Sequence, residues 1–226
     1  MVRVGAIVPA AGCSARMRGV DKLFIPLEDR PLLAWCVDTL ERSPMVARIV
    51  VSVSPERMSA AESMGRERRW MKTAFVHGGA RRQDSVARAL AALGDVDWVL
   101  VHDGDRPFLD ERLIEQGLHA ARETGIAVAS MPVTDTVKVV DREDMVVSTL
   151  ERDTLRAVQT PQVFRADIIR HAYSHIEETV TDDAMLAERL EYAVRLYPGS
   201  RDNLKVTTPD DLLVAQAIAR RREARL

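Results

Sequence analysis

Val4-Gly5-Ala6-Ile7-Val8-Pro9-Ala10-Ala11-Gly12 decides how the chain is read, because an unbroken apolar run passes directly into small residues. Val4 to Val8 has the length and uniform apolarity of a strand buried on both faces. Pro9 and Gly12 then turn it into a loop. Downstream, Pro31 to Leu40 carries apolar residues at helical spacing, and Ile49 to Val53 is a β-branched run. Strand, loop, helix and strand in that order predict a βαβ unit. The rhythm continues with strands at Ala74 to Val76, Trp98 to His102 and Ile126 to Met131, separated by helices at Ser85 to Leu93 and Leu113 to Arg122. Such alternation predicts an α/β fold, a mostly parallel sheet covered by helices on both faces.

Thr134 to Val158 breaks the pattern. Two alternating runs, Thr136 to Val140 and Val146 to Leu150, flank the polar segment Asp141 to Asp144. They predict a β-hairpin arm projecting from the body. Helices are expected at Ala166 to Ile176, Asp182 to Leu190 and from Pro209 onward, with a strand at Ala193 to Tyr197. The Arg220 to Arg225 run reads as a solvated helix end.

The 226 residues, 46% of them hydrophobic, are enough for one core and predict a single domain over 1–226. Thirty-two basic and 34 acidic residues nearly cancel, which speaks against a nucleic-acid partner. Cys13 and Cys36 form no metal or disulfide pattern, and no apolar run reaches the length of a membrane helix. A soluble cytoplasmic protein is expected.

Chemistry concentrates in Pro9-Ala10-Ala11-Gly12-Cys13-Ser14-Ala15-Arg16-Met17, followed by Lys22. Small residues let backbone amides approach phosphate oxygens, and Arg16 and Lys22 add positive charge beside them. The spacing alone fits a tight turn with two solvated cations equally well, since it is neither GxGxxG nor GxxxxGK[ST].

PAAGCSARM with Lys22 resembles the nucleotide-binding signature of the methylerythritol phosphate cytidylyltransferases, and further matches follow in order. They are Gly78-Gly79 with Arg82, Asp84 and Ser85; Val101-His102-Asp103 with Arg106-Pro107; Pro132-Val133 with Asp135-Thr136 and Lys138; Arg152; Thr160-Pro161-Gln162; Thr181-Asp182; and Asn203-Leu204-Lys205-Val206-Thr207. The resemblance covers nearly the whole chain. It implies a Rossmann-like, glycosyltransferase-A-like nucleotidyltransferase sandwich, a homodimer joined through the arm, and transfer of a cytidylyl group from CTP to a polyol phosphate with Mg2+.

Residue by residue, the resemblance makes Arg16, Lys22, Arg152 and Lys205 the catalytic cations. Pro9, Ala10, Ala11, Gly12, Ser14, Gly78, Gly79, Arg82, Ser85, Asp103 and Gly104 would hold the nucleotide. Asp103, Arg106, Thr136, Arg152, Thr181 and Asp182 would hold the acceptor, the arm residues serving the neighbouring subunit's site. Asp103 is a candidate metal ligand. Three positions depart from the family pattern: Gly104-Asp105 replaces Ala-Ala, Ala80 replaces an acidic residue and Thr208 replaces an arginine. Asp105 thereby becomes a second candidate metal carboxylate, with a solvated or arginine-paired loop residue as the alternative.

Ribitol 5-phosphate is the rival acceptor, although the Pro132 to Lys138 segment looks more like the methylerythritol enzymes. A nicotinamide oxidoreductase lacks its GxGxxG here. A non-catalytic nucleotide sensor would be expected to lose one of Arg16, Lys22 or Lys205, and all three are present. With no fused cyclase segment after the final helix, a monofunctional enzyme is expected.

Overall fold

The computed structural model describes residues 2–12, 23–175 and 178–224. The strands are β1 (Val4–Ala10), β2 (Pro26–Leu27), β3 (Arg30–Pro31), β4 (Val46–Val53), β5 (Thr73–His77), β6 (Trp98–Val101), β7 (Ile126–Pro132), β8 (Lys138–Val140), β9 (Val146–Thr149), β10 (Arg156–Arg165) and β11 (Arg195–Pro198). The helices are α1 (Leu32–Arg42), α2 (Met58–Glu67), α3 (Arg82–Ala92), α4 (Glu111–Thr124), α5 (Ala166–Ser174), α6 (Ala184–Arg189) and α7 (Pro209–Glu223).

Seven strands form one sheet in the order β11-β7-β10-β6-β1-β4-β5. All neighbours are parallel except those of β10, which runs antiparallel to both β6 and β7. Successive side chains alternate between faces, as strand geometry requires. Ala6, Val8, Leu100 and Ile49 pack with α1 and α4, whereas Ile7, Val99, Val101 and Val50 pack with α3 and α5. Both faces are dry, which explains why these strands read as continuous apolar runs.

β10 escapes the sequence reading for a physical reason. It contains Gln159, Thr160, Pro161 and Gln162, and proline cannot donate to a ladder, so such a run argues against a central strand. The register shifts between Val158 and Gln162, where the bulge absorbs that segment. Consequently Arg156 to Val158, read as the end of the arm, pairs with β7 and belongs to the sheet. The hairpin itself is β8 with β9. The polar, glycine-containing α2, MSAAESMGRE, was also unforeseen and buries only Ala61, Met64 and Gly65.

Arg220 and Arg221 are exposed, as a solvated helix end predicts, whereas Arg222 is half-buried. Arg220 and Arg221 pair with Glu28 and Asp202, and Arg222 lies over the Phe108 ring while donating to the Phe108 carbonyl. Among the described residues no helix is long and apolar enough to cross a membrane.

Candidate active site

Two adjoining basins open where β1, β5 and β6 end, the edge at which open α/β sheets gather ligands. Backbone bonds carry the ladder past the strand ends and set the loops there. Gly78 N donates to Val53 O (2.8 Å), His102 N to Ile7 O (2.9 Å) and Gly104 N to Pro9 O (3.2 Å).

Pro9, Ala10, Ala11 and Gly12 form one wall of the first basin. Opposite them are Gly79, Ala80, Arg81, Arg82 and Ser85 from the turn into α3. Glycine is required in this turn: a Cβ on Gly78 would stand 2.2 Å from the Ala11 Cβ, and one on Gly79 would stand 2.3 Å from the Asp84 Cβ. The Ser85 hydroxyl accepts from Gly79 N (3.0 Å) and so braces the turn. Neither Gly78 nor Gly104 lines the basin: Gly78 is half-buried beside Ala11, and Gly104 is buried against Leu33 and Ala10.

The second basin is bounded by Arg106, by Gln159, Thr160 and Gln162 of β10, and by Thr181 and Asp182. Asp182 Oδ1 accepts from Met185 N at the start of α6, and its Oδ2 accepts from Gln162 Nε2 (2.7 Å). Asp182 thus braces the start of α6 while it lines the basin.

Arg82, Asp103 and Lys205 belong to both basins. Asp103, 7% exposed, pairs through Oδ1 with Arg82 Nε (2.8 Å) and through Oδ2 with Lys205 Nζ (2.9 Å). Arg106 Nε stands 3.9 Å away. Burial by itself pushes the Asp103 carboxyl up, but Arg82, Lys205 and Arg106 together overcome it and hold the group well below the usual carboxylate range. Burial likewise works against the Arg82 charge, and Asp183 and Asp103 more than restore it. Asp183 in turn accepts from the Tyr173 hydroxyl, whose pKa is raised first by burial and then by that carboxylate.

Asp105 lines the first basin with its Oδ1 3.9 Å from Lys205 Nζ, while its carbonyl accepts from Val206 N (2.8 Å). Lys205 is thus a charge neighbour of Asp105, and the same carboxylate also favours the charged form of Arg106. Among the described residues no group of three or more His, Cys, Asp or Glu could cage a metal. Asp103 and Asp105, neighbouring carboxylates on the first basin's wall, still suit magnesium, a hard cation that takes one or two carboxylates and fills its remaining positions with phosphate oxygens and water.

Ser14, Arg16 and Lys22 lie outside the described residues. Thr136 and Arg152 are exposed on the arm and line neither basin; Arg152 Nη1 donates to Thr134 O (3.0 Å). The sequence reading overlooked Gln159, Asp183 and Tyr173, and it quoted His102, Thr160 and Gln162 only within motifs. Their isolated side chains carry no local signal, because their partners are distant in the chain.

The sequence matches the family described as 2-C-methyl-D-erythritol 4-phosphate cytidylyltransferase over residues 4–221. A Dehalococcoides mccartyi protein of that name is 46% identical over 97% of each chain. The solved 4-diphosphocytidyl-2C-methyl-D-erythritol synthase from Anaerococcus prevotii superposes with a TM-score of 0.86 at 28% identity, covering 97% of this chain and 96% of that one. The Thermus thermophilus 2-C-methyl-D-erythritol 4-phosphate cytidylyltransferase gives 0.80 at 33% identity, covering 97% and 100%. With this sheet, these basins and these likenesses, the chain belongs to the 2-C-methyl-D-erythritol 4-phosphate cytidylyltransferase family.

Proposed function

We propose that this chain transfers a cytidylyl group from CTP to 2-C-methyl-D-erythritol 4-phosphate in isoprenoid biosynthesis, with CTP in the first basin and the acceptor in the second. The wall common to both basins carries this reading: Arg82, Asp103 and Lys205 stand where the two substrates would meet. An oxygen of the acceptor phosphate attacks the α-phosphorus of CTP. The new P–O bond forms as the bond to the β-phosphate bridge breaks, and pyrophosphate leaves.

Because the acceptor is itself the nucleophile, the protein supplies position and charge. The first basin's small residues admit the triphosphate, and the Gly79 to Arg81 backbone with Ser85 faces the base. Lys205 and Arg82 meet the charge that builds on the transferring phosphoryl group. Asp103 already balances much of that positive charge, so binding two polyanions calls for more cations. Arg16 and Lys22 are the family's residues for that task. Asp103 and Asp105 would hold magnesium, which when bound neutralises phosphate charge.

The arm points to a homodimer. Met145, Val146 and Val147 are each at least 59% exposed on a two-stranded hairpin, a unit with little stability of its own. A second copy covering this face would bring Thr136 and Arg152 to the partner's acceptor basin. Residues 1–226 are read as one catalytic domain of a cytoplasmic enzyme. Pyrophosphate release with CTP and a panel of polyol phosphates tests the assignment. Release should be fastest with 2-C-methyl-D-erythritol 4-phosphate, and preference for ribitol 5-phosphate would overturn the acceptor.

A further inference from the structure

His102 immediately precedes Asp103, and its side chain is wholly buried. Its ring reaches two groups: Nε2 lies 2.9 Å from the Arg106 carbonyl, and Nδ1 lies 3.2 Å from the Thr160 hydroxyl. The carbonyl can only accept, so Nε2 must carry the hydrogen. Thr160 Oγ1 accepts from Asp103 N (3.1 Å), and because a neutral ring carries no second hydrogen, the hydroxyl's own proton goes to Nδ1. Every direction in the chain is then determined. Asp103 N donates to Thr160, Thr160 donates to His102, and His102 donates to Arg106 O.

These bonds grip both ends of one turn. Its closing bond runs from Arg106 N to Asp103 O (3.0 Å), and it presents Asp103 and Arg106 to the second basin. The same network reaches the Lys205 segment. Asn203 Nδ2 donates to Thr160 O (2.6 Å), and Arg106 Nη1 donates to Asn203 O (2.8 Å). A buried histidine held only for packing would need a partner for each nitrogen, but not partners at both ends of the turn that carries the site's aspartate. The ring is wholly buried and its nitrogens face a carbonyl and a hydroxyl, not a carboxylate, which favours the neutral form.

We propose that His102 is a positioning residue for the transfer: as a neutral Nε2–H imidazole it sets the Asp103–Arg106 turn, and through it the placement of Arg82 and Lys205 between the basins. This rests on the transfer reading above, but the tautomer is measurable without turnover. Loss of activity in the wild-type protein would therefore count against the transfer, and a wrong tautomer against this role.

Nitrogen-15 spectra of the wild-type ring at pH 7.5 should show a single Nε2–H tautomer. His102→Leu, folded by circular dichroism, should lose about 30-fold in kcat, the equivalent of a lost buried hydrogen bond, with KM for CTP little changed. His102→Gln, which can still donate to the Arg106 carbonyl, should recover most of that loss. An Nδ1–H or doubly protonated ring, or a folded His102→Leu with wild-type kcat, would overturn the proposal. Should His102→Leu fail to fold, His102→Gln is set against His102→Asn, whose shorter amide cannot span to Arg106. Higher kcat for Gln supports the role, and equal kcat overturns it.

Discussion

Lys205 Nζ stands 2.9 Å from Asp103 Oδ2, although 102 residues separate them in the chain. The same carboxylate holds Arg82 through its other oxygen. One buried anion therefore fixes two cations at the junction of the two basins. Lys205→Ala should fold, since Arg82 still pairs with Asp103, yet lose turnover by about 100- to 1,000-fold through an uncompensated transition-state charge. Steady-state pyrophosphate release beside a thermal melt checks both halves. A folded variant with near-normal turnover would remove Lys205 from the proposed machinery.

Arg152 is exposed on the arm and donates to Thr134 O of the same chain, and it lines neither basin. If the arm serves a partner, Lys205→Ala and Arg152→Ala fail at different places. Their heterodimer then contains one intact composite site. Mixing the two inactive proteins under subunit exchange should restore up to about a quarter of wild-type activity, the statistical ceiling for one intact site in half of the dimers. Verified heterodimers without rescue would refute shared sites.

Gly78 is excluded from bearing a side chain by Ala11, whose Cβ would lie 2.2 Å from the added methyl. Gly78→Ala must push apart the two walls of the first basin, at a cost of about 1–3 kcal/mol in stability. The expected signature is a raised KM for CTP with the acceptor KM little changed. Equal effects on both substrates would argue that the first basin is not the nucleotide's.

His102 also gives stability a pH dependence with a defined sign. In the unfolded chain its pKa is near 6.5, and burial lowers it to about 4 in the fold, against the opposing influence of the Arg106 carbonyl and Asp103 and with help from Arg106 and Lys205. As pH falls from about 6.5 to 4 the unfolded chain gains a proton that the folded one refuses. Its contribution is thus complete above about pH 6.5 and is lost on acidification, by at most about 3 kcal/mol. Urea titrations at pH 7.5 and 5 should show a smaller decline for His102→Gln than for the wild type, and an identical decline would contradict the assignment.

Asp105 is the departure from its family with a chemical consequence, since its carboxylate faces the first basin beside Lys205. Asp105→Ala should raise the magnesium concentration for half-maximal activity several-fold at saturating CTP and acceptor. KM for the acceptor should hold steady. An unmoved magnesium midpoint would leave Asp103 as the sole carboxylate of this turn with a claim on the metal.

Local sequence patterns by themselves determined the layered α/β plan and the places where loops leave the strands, because periods of two and 3.6 residues are written in neighbouring positions. Val4 to Val8, Ile49 to Val53 and Trp98 to Val101 are strands in which both faces are buried, so apolarity alone reveals them. The motif resemblance also placed Arg82, Ser85, Asp103, Arg106, Thr181, Asp182 and Lys205 among the candidates, and all of them line the two basins. Only the tertiary structure decided that β10 enters the sheet antiparallel between β6 and β7, because its glutamines and proline obey distant partners and a bulged register. Only it joined His102 to Thr160 and Arg82 to Asp183. Such pairs cost nothing to omit from a local pattern, since the low-dielectric site that makes them strong exists only after the sheet has closed around them.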